Sequence, residues 1–199
     1  MFADENEQSF TAIQWFNKGY DYDVKEDYDN AILAYTKAIE LNPQDADAYI
    51  NRGVIYDIKG EYNVAIRDYT KAIELEPLDA DTYTNRGVIY DTKGEYDLAI
   101  MDYTKAIELN PQDAVAYVMR GVVYDIKGKF DLAIIDYNKA IEINQQDADA
   151  YLNKATTCKK AGYNPEAIES YNLFIRYAPS NDPNIETAKQ QINELGGTI

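Results

Sequence analysis

Residues 46–79 and 80–113 align without a gap and differ at only eight positions. Ala46–Asp79 reads ADAYINRGVIYDIKGEYNVAIRDYTKAIELEPLD, and Ala80–Asp113 reads ADTYTNRGVIYDTKGEYDLAIMDYTKAIELNPQD. A fixed 34-residue period decides the fold before any local propensity does, because each copy can bury its apolar face only against its neighbours. The same frame holds upstream over Ala12–Asp45 and downstream over Ala114–Asp147 and Ala148–Asn181. Five repeats therefore span 12–181. Residues 1–11 form a tail and the first helix start, and 182–199 form a separate C-terminal element.

The first repeat carries Trp15, Gly19, Tyr22, Ala31, Tyr35 and Pro43, and the second carries Tyr49, Gly53, Tyr56, Ala65, Tyr69, Ala72 and Pro77. This pattern resembles the tetratricopeptide repeat family. The resemblance implies an all-α, right-handed superhelix of five helix-turn-helix repeats plus a C-terminal capping helix. It also implies a protein-binding role without catalysis.

Within each repeat the punctuation agrees. Asp45, Asp79, Asp113 and Asp147 stand where a first helix needs its N-cap, and Ser9 is the candidate for the first repeat. Gly60, Gly94, Gly128 and Gly162 follow that helix, where a left-handed residue closes it. The first repeat has Glu26 there, which predicts a looser turn. The second helix is expected to begin near Asn63, Asp97 or Asp131 and to stop before Pro77 and Pro111. Gln145 replaces that proline in the fourth repeat, so its second helix is expected to run on.

At about 100° per residue, Tyr49, Gly53 and Tyr56 share one stripe, as do Ala65, Tyr69 and Ala72. Gly53 and Ala65 let the two axes approach, and tyrosine rings fill the space beside them. Most of the 19 tyrosines recur at such positions and read as core aromatics. Where the resembled family has leucine, this chain has Lys18, Arg52, Arg86, Arg120 and Lys154. Bare buried charge is too costly, so their heads are expected to pair with nearby carboxylates. The fifth repeat is atypical, as a terminal one should be. Cys158 replaces a tyrosine, Pro165 enters near a helix start, and Phe174 replaces a small residue. Asp182-Pro183 reads as the start of a last helix with the apolar stripe Ile185, Ala188, Ile192 and Leu195, stopped by Gly196-Gly197.

Charge and composition narrow the function. Net charge is −16, which argues against nucleic acid and anionic membrane and for a basic partner. With no histidine and a single cysteine, zinc sites and histidine-activated nucleophiles in their usual forms are excluded, and no cofactor is expected. No apolar run reaches the roughly 18 residues of a membrane helix. Met1–Gln8 is acidic, wrong for a secretory leader, and points to a cytoplasmic setting.

The side of each first helix opposite the stacking stripe carries an ordered set. Repeat position 5 gives Phe16, Ile50, Thr84 and Val118, and position 9 gives Tyr20, Val54, Val88 and Val122. Position 6 gives Asn17, Asn51, Asn85, Met119 and Asn153, and position 12 gives Asp23, Asp57, Asp91 and Asp125, then Lys159. In the resembled family this side is the concave groove that holds partners. An apolar track, an amide ladder and an acid ladder would anchor a segment, bond its backbone and select positive charge. The alternative is structural: the aliphatics pack on the next repeat, the Asn side chains satisfy local backbone, and the Asp row pairs with the Arg row.

Two other readings compete. Chaperone-binding members of the family grip a terminal carboxylate with Lys, Asn, Asn, Lys and Arg. Here those places hold Phe16, Tyr20, Asn51, Asp81 and Asn85, of which only Asn51 fits. An enzyme would draw a carboxylate pair from the Asp row, yet nothing singles out one pair or a metal-binding spacing. Self-association into a homo-oligomer through the terminal repeats, at Trp15 and Phe16, is the alternative function.

Overall fold

The computed structural model describes residues 10–198. Among them are eleven helices and no strand. The chain divides into two compact halves, residues 1–93 and 94–199. The N-terminal half holds α1 (Ala12–Asp23), α2 (Tyr28–Leu41), α3 (Ala46–Ile58), α4 (Tyr62–Leu75) and α5 (Ala80–Thr92). The C-terminal half holds α6 (Tyr96–Leu109), α7 (Ala114–Ile126), α8 (Phe130–Ile143), α9 (Ala148–Ala161), α10 (Asn164–Tyr177) and α11 (Asn184–Glu194).

In the first half each helix packs on the next in sequence, and α3 also touches both α1 and α5. In the second half the same holds from α6 to α11, with α7 touching α9. First helices of successive repeats thus lie side by side within each half.

The helix signals are mostly where the period puts them. Asp45, Asp79, Asp113 and Asp147 each accept a hydrogen bond from the first turn of their helix. Ser9 lies outside the described residues, and α1 is capped by Thr11, which forms a reciprocal capping box with Gln14. Asn63, Asp97 and Asp131 are not caps. The helices α4, α6 and α8 begin one residue earlier, behind Glu61, Glu95 and Lys129, and these make no side-chain cap bond. Only α2 has a side-chain cap among the second helices of the first four repeats, from Asp27 to the Asn30 amide.

Two expected irregularities do not occur. Glu26 takes the same left-handed conformation as the glycines, with φ 58° against 72° at Gly60. The Glu26 amide donates to Asp23 O at 2.8 Å and the Asp27 amide to Tyr22 O at 2.9 Å, matching the bonds of Gly60 and Glu61. The turn is not looser; packing imposes the glycine conformation on a residue that resists it. Nor does α8 run on past its siblings. It stops at Ile143, and Asn144 Oδ1 accepts from the Gln146 amide at 3.3 Å, as Asn110 does from Gln112. An asparagine turn ends the helix without help from proline.

The core is built from glycine–tyrosine contacts. Tyr35, Tyr69 and Tyr137 are essentially inaccessible to solvent. A Cβ at Gly19 would stand 2.7 Å from the Tyr35 ring, one at Gly53 3.0 Å from Tyr69, and one at Gly121 2.7 Å from Tyr137. Each ring therefore lies directly on the first-helix backbone. At the end of the second half, Cys158, Phe174, Ala188 and Ile192 are buried together, with Ile185 and Leu195 beside them. The last helix covers the fifth repeat as its stripe requires, but its N-cap is Pro183 and not Asp182, and no side chain caps it; Asp182 Oδ1 accepts from the Asn184 amide at 2.8 Å in the turn that leads into it.

The position-7 cations do pair as charge economy demands. Arg52 forks onto Asp68, with Nε and Nη2 each 2.7 Å from a carboxylate oxygen, while Nη1 reaches Thr36 at 3.0 Å. Arg120 repeats this on Asp136 at 2.8 and 2.7 Å and on Thr104 at 3.0 Å. Each fork joins three consecutive helices: α2, α3 and α4 in one case, α6, α7 and α8 in the other. Arg120 also lies over the Tyr117 and Tyr124 rings. Lys18 instead sits over Phe10, Trp15 and Tyr22.

Two stability predictions follow from these contacts. Glu26→Gly should raise the free energy of unfolding by ~0.5–1 kcal/mol in urea titration, because it removes the side chain from a left-handed position. Arg120→Leu should cost about 3 kcal/mol, because it strands the buried Asp136, and adding Asp136→Asn should recover most of that loss.

Candidate functional site

The candidate surface is the face of the first helices turned away from the glycine stripe. In the N-terminal half, α1, α3 and α5 bring twelve of the sequence-predicted residues onto it. The aliphatic track is partly structural. Phe16 is half-buried, with its ring edge-on to Tyr35 at 5.6 Å. Ile50 and Val54 are half-buried against Ala65, Tyr69 and Ile89. Val88 is half-buried as well, and Thr84 bonds back to the Ala80 carbonyl at 3.3 Å. Tyr20 is the outward exception, 56% exposed.

The amides differ among themselves. Asn17 is exposed and Asn85 half-buried. Asn51 Nδ2 donates to the Asp47 carbonyl one turn back at 2.9 Å, leaving its oxygen and second N–H for other partners. In the C-terminal half Val118, Met119, Val122 and Asn153 are all half-buried. Trp15 and Phe16 do not offer the exposed aromatic pair expected for self-association, since both pack inward on the Ala38 and Ala48 core.

The acid row is where the structure departs most from an ordinary solvated face. Asp23, Asp57 and Asp91 are half-buried, and burial alone pushes each carboxyl above the usual carboxylate range. The Arg row does not neutralise them, because Arg52 and Arg120 are committed to Asp68 and Asp136. Asp125 is different. Its Oδ1 accepts from Thr157 at 2.9 Å and its Oδ2 holds Lys160 at 2.5 Å. Both partners come from α9, where the fifth repeat breaks the pattern.

Sequence reasoning missed those two residues. Thr157 stands at repeat position 10, where Ile55, Ile89 and Val123 are buried core residues. Lys160 stands at position 13, where Ile58, Thr92 and Ile126 are exposed. A polar residue where the second to fourth repeats carry Ile, Ile and Val was the available signal. Lys159, which follows the acid row in register, turns to α11, bonding Gln191 and Glu194. Cys158 is buried and its thiol is pushed up by that burial, so it behaves as a small core hydrophobe.

The uncompensated carboxylates carry a pH signature. A carboxyl whose folded pKa lies above its unfolded value binds more protons in the folded state, so stability falls as pH rises through that window. Charged Asp57 therefore opposes folding at neutral pH, and the opposition vanishes below the ordinary carboxylate range. Asp57→Asn should raise the melting temperature at pH 7 and give no gain at pH 3, measured by circular dichroism at both.

The comparisons with known proteins agree with this architecture. The tetratricopeptide repeat profile matches residues 46–78, 80–113 and 114–147, a related TPR repeat profile matches 19–57, and a further tetratricopeptide repeat profile matches 148–181. No curated relative matches the sequence. Among solved structures, MamA is 28% identical at a TM-score of 0.77, with 89% of this chain and 96% of that one covered. A second MamA structure is 26% identical at a TM-score of 0.79, covering 94% and 97%. YrrB, described as a TPR protein with an unusual peptide-binding site, is 24% identical at a TM-score of 0.77, covering 90% and 92%, and bears on fold alone. With profiles matched along most of its length and all-helical neighbours, the chain belongs to the tetratricopeptide repeat family and has the fold of its protein-interaction scaffolds.

Proposed function

We propose that this protein is a non-catalytic adaptor that holds a segment of another protein along the open faces of α1, α3 and α5, and that the segment carries basic and apolar side chains. One observation carries the reading: three recurring carboxylates, Asp23, Asp57 and Asp91, are half-buried, and burial pushes each carboxyl up with no nearby cation to offset it. A fold that spends stability on desolvated charge, at equivalent positions on three stacked helices, gains nothing from it as a solvated surface. A basic partner neutralises the row, while Ile50, Val54 and Val88 offer apolar contact between the acids and the free ends of Asn51 and Asn85 reach a backbone. The chain's net charge of −16 steers such a partner toward it. A solved neighbour of the same fold, YrrB, is described as having a peptide-binding site, which supports a peptide-like occupant.

Asp125 is not part of the proposed electrostatic surface, because Lys160 already occupies it. The test is affinity capture on the immobilised full chain, wild type against Asp23→Asn, Asp57→Asn and Asp91→Asn combined. The expected result is loss of a defined set of bound proteins from the triple variant, and a steep salt dependence of their binding to wild type that flattens in the variant. Retention of the same proteins with the same salt dependence would remove the electrostatic part of the proposal.

A further inference from the structure

The fourth repeat shows how this array satisfies an acid of the row. Tyr137 lies on Gly121, and its hydroxyl is hydrogen-bonded to Thr157. Thr157 donates to Asp125 Oδ1 at 2.9 Å, and the Lys160 ammonium sits on Oδ2 at 2.5 Å. Tyrosine, aspartate, hydroxyl and ammonium close into one network between α7 and α9.

The first repeat has the same two starting members and lacks the other two. Tyr35 lies on Gly19, one helical turn before Asp23. Ile55 stands where the fifth repeat has Thr157, and Ile58 where it has Lys160. The Tyr35 ring packs with Ile55 in the core, so nothing polar meets its hydroxyl. That hydroxyl is fully buried and has no hydrogen-bond partner. Burial first, and then the negative charge of Asp23 and Tyr20, pushes that hydroxyl's pKa up. A buried hydroxyl with no partner is unfavourable, and it leaves the first repeat without the polar neighbour that Thr157 supplies in the fourth. The second repeat has Asp57 half-buried beside Ile89 and Thr92 in register, again with burial alone acting on the acid, but its Tyr69 hydroxyl is not among the unpartnered ones.

Resting on the adaptor reading above, we infer that the Asp23 and Asp57 positions are lysine sockets: each takes the primary ammonium of a partner's lysine in the place that Lys160 fills at Asp125. An ammonium is a compact charge with three donors pointing different ways, so it bonds a carboxylate and still reaches a second oxygen beside it. A guanidinium is wider and planar, whereas the place beside the acid is the one that a single ammonium fills at Asp125. The exposed aliphatic Ile58 at the rim suits the methylene stem that a lysine lays along apolar surface. The Asp125 socket is closed from within, which confines the partner's lysines to the earlier repeats.

The test uses the full chain and random short peptides displayed on phage, followed by synthesis of the selected sequences. Lysine should be enriched over arginine. Replacing the selected lysine by norleucine, or combining Asp23→Asn with Asp57→Asn, should weaken binding at least about tenfold. Tyr35→Phe should leave the melting temperature unchanged or higher and still weaken lysine peptides about threefold, a split that a purely structural tyrosine would not give. Asp125→Asn should leave affinity within about twofold, since no partner charge is lost there. Selected peptides without lysine enrichment, or norleucine peptides binding as well as lysine ones, would overturn the sockets and leave the adaptor reading standing. Failure to select any peptide would overturn both, and equal losses from the Asp125 and Asp23/Asp57 variants would overturn the sockets alone.

Discussion

A tyrosine ring laid flat on a glycine backbone is the contact from which the rest of this architecture follows. Because Gly19, Gly53 and Gly121 have no Cβ, the rings of Tyr35, Tyr69 and Tyr137 come within about van der Waals distance of the first-helix main chain. Interiors are packed too tightly to absorb even one methyl group at such a point without a shift. In the first repeat the hydroxyl at the far end of the Tyr35 ring is fully buried and has no hydrogen-bond partner, while position 12, one turn after the glycine, places the half-buried Asp23.

The second structural device is the arginine fork. A leucine at position 7 would make an apolar contact of no fixed direction. Arg52 and Arg120 instead make three directed bonds each, to a carboxylate in their own repeat and a threonine in the one before. Removing such charges from water consumes most of the Coulombic gain, so the fork adds little net stability. Its effect is on register: the planar guanidinium accepts one placement of α2, α3 and α4 relative to one another, and slippage by a residue would strand both charges. Consuming the arginine on Asp68 or Asp136 also leaves it unavailable to the acid row.

The periodicity made most of the fold legible. The helix pairs, the glycine turns, the aspartate caps of the first helices and the covering role of the last helix all follow from residues that recur in register. Its failures came where a residue type was read apart from the packing that overrides it. Glu26 looked like a looser turn, but the glycine-like bonds of that turn are imposed by the helices on either side. Gln145 looked like a missing stop, but Asn144 carries the stop as Asn42 and Asn110 do in the first and third repeats. The acid row was legible as a pattern and not as four different environments. Nothing in the recurrence of aspartate at position 12 says that one member is neutralised by Thr157 and Lys160 while three are not, since that depends on which side chain the next repeat presents across the helix–helix gap.

That difference bears on what the row is for. If the aspartates served solubility, exposure would suit them, and a fold this acidic has many exposed carboxylates already. If they served the fold, each would have acquired a partner as Asp125 did, because one threonine and one lysine on the next first helix are enough. In register with Asp23 stand Ile55 and Ile58, and with Asp57 Ile89 and Thr92, none of them a cation, and these acids stay half-buried with carboxyls that burial pushes up. Desolvated charge without a counter-charge is unfavourable in isolation and becomes favourable only when a cation arrives from outside. On the proposed reading, the internal lysine beside Asp125 and the uncompensated acids before it are two states of one device, filled by the chain itself in the fourth repeat and held open in the first and second.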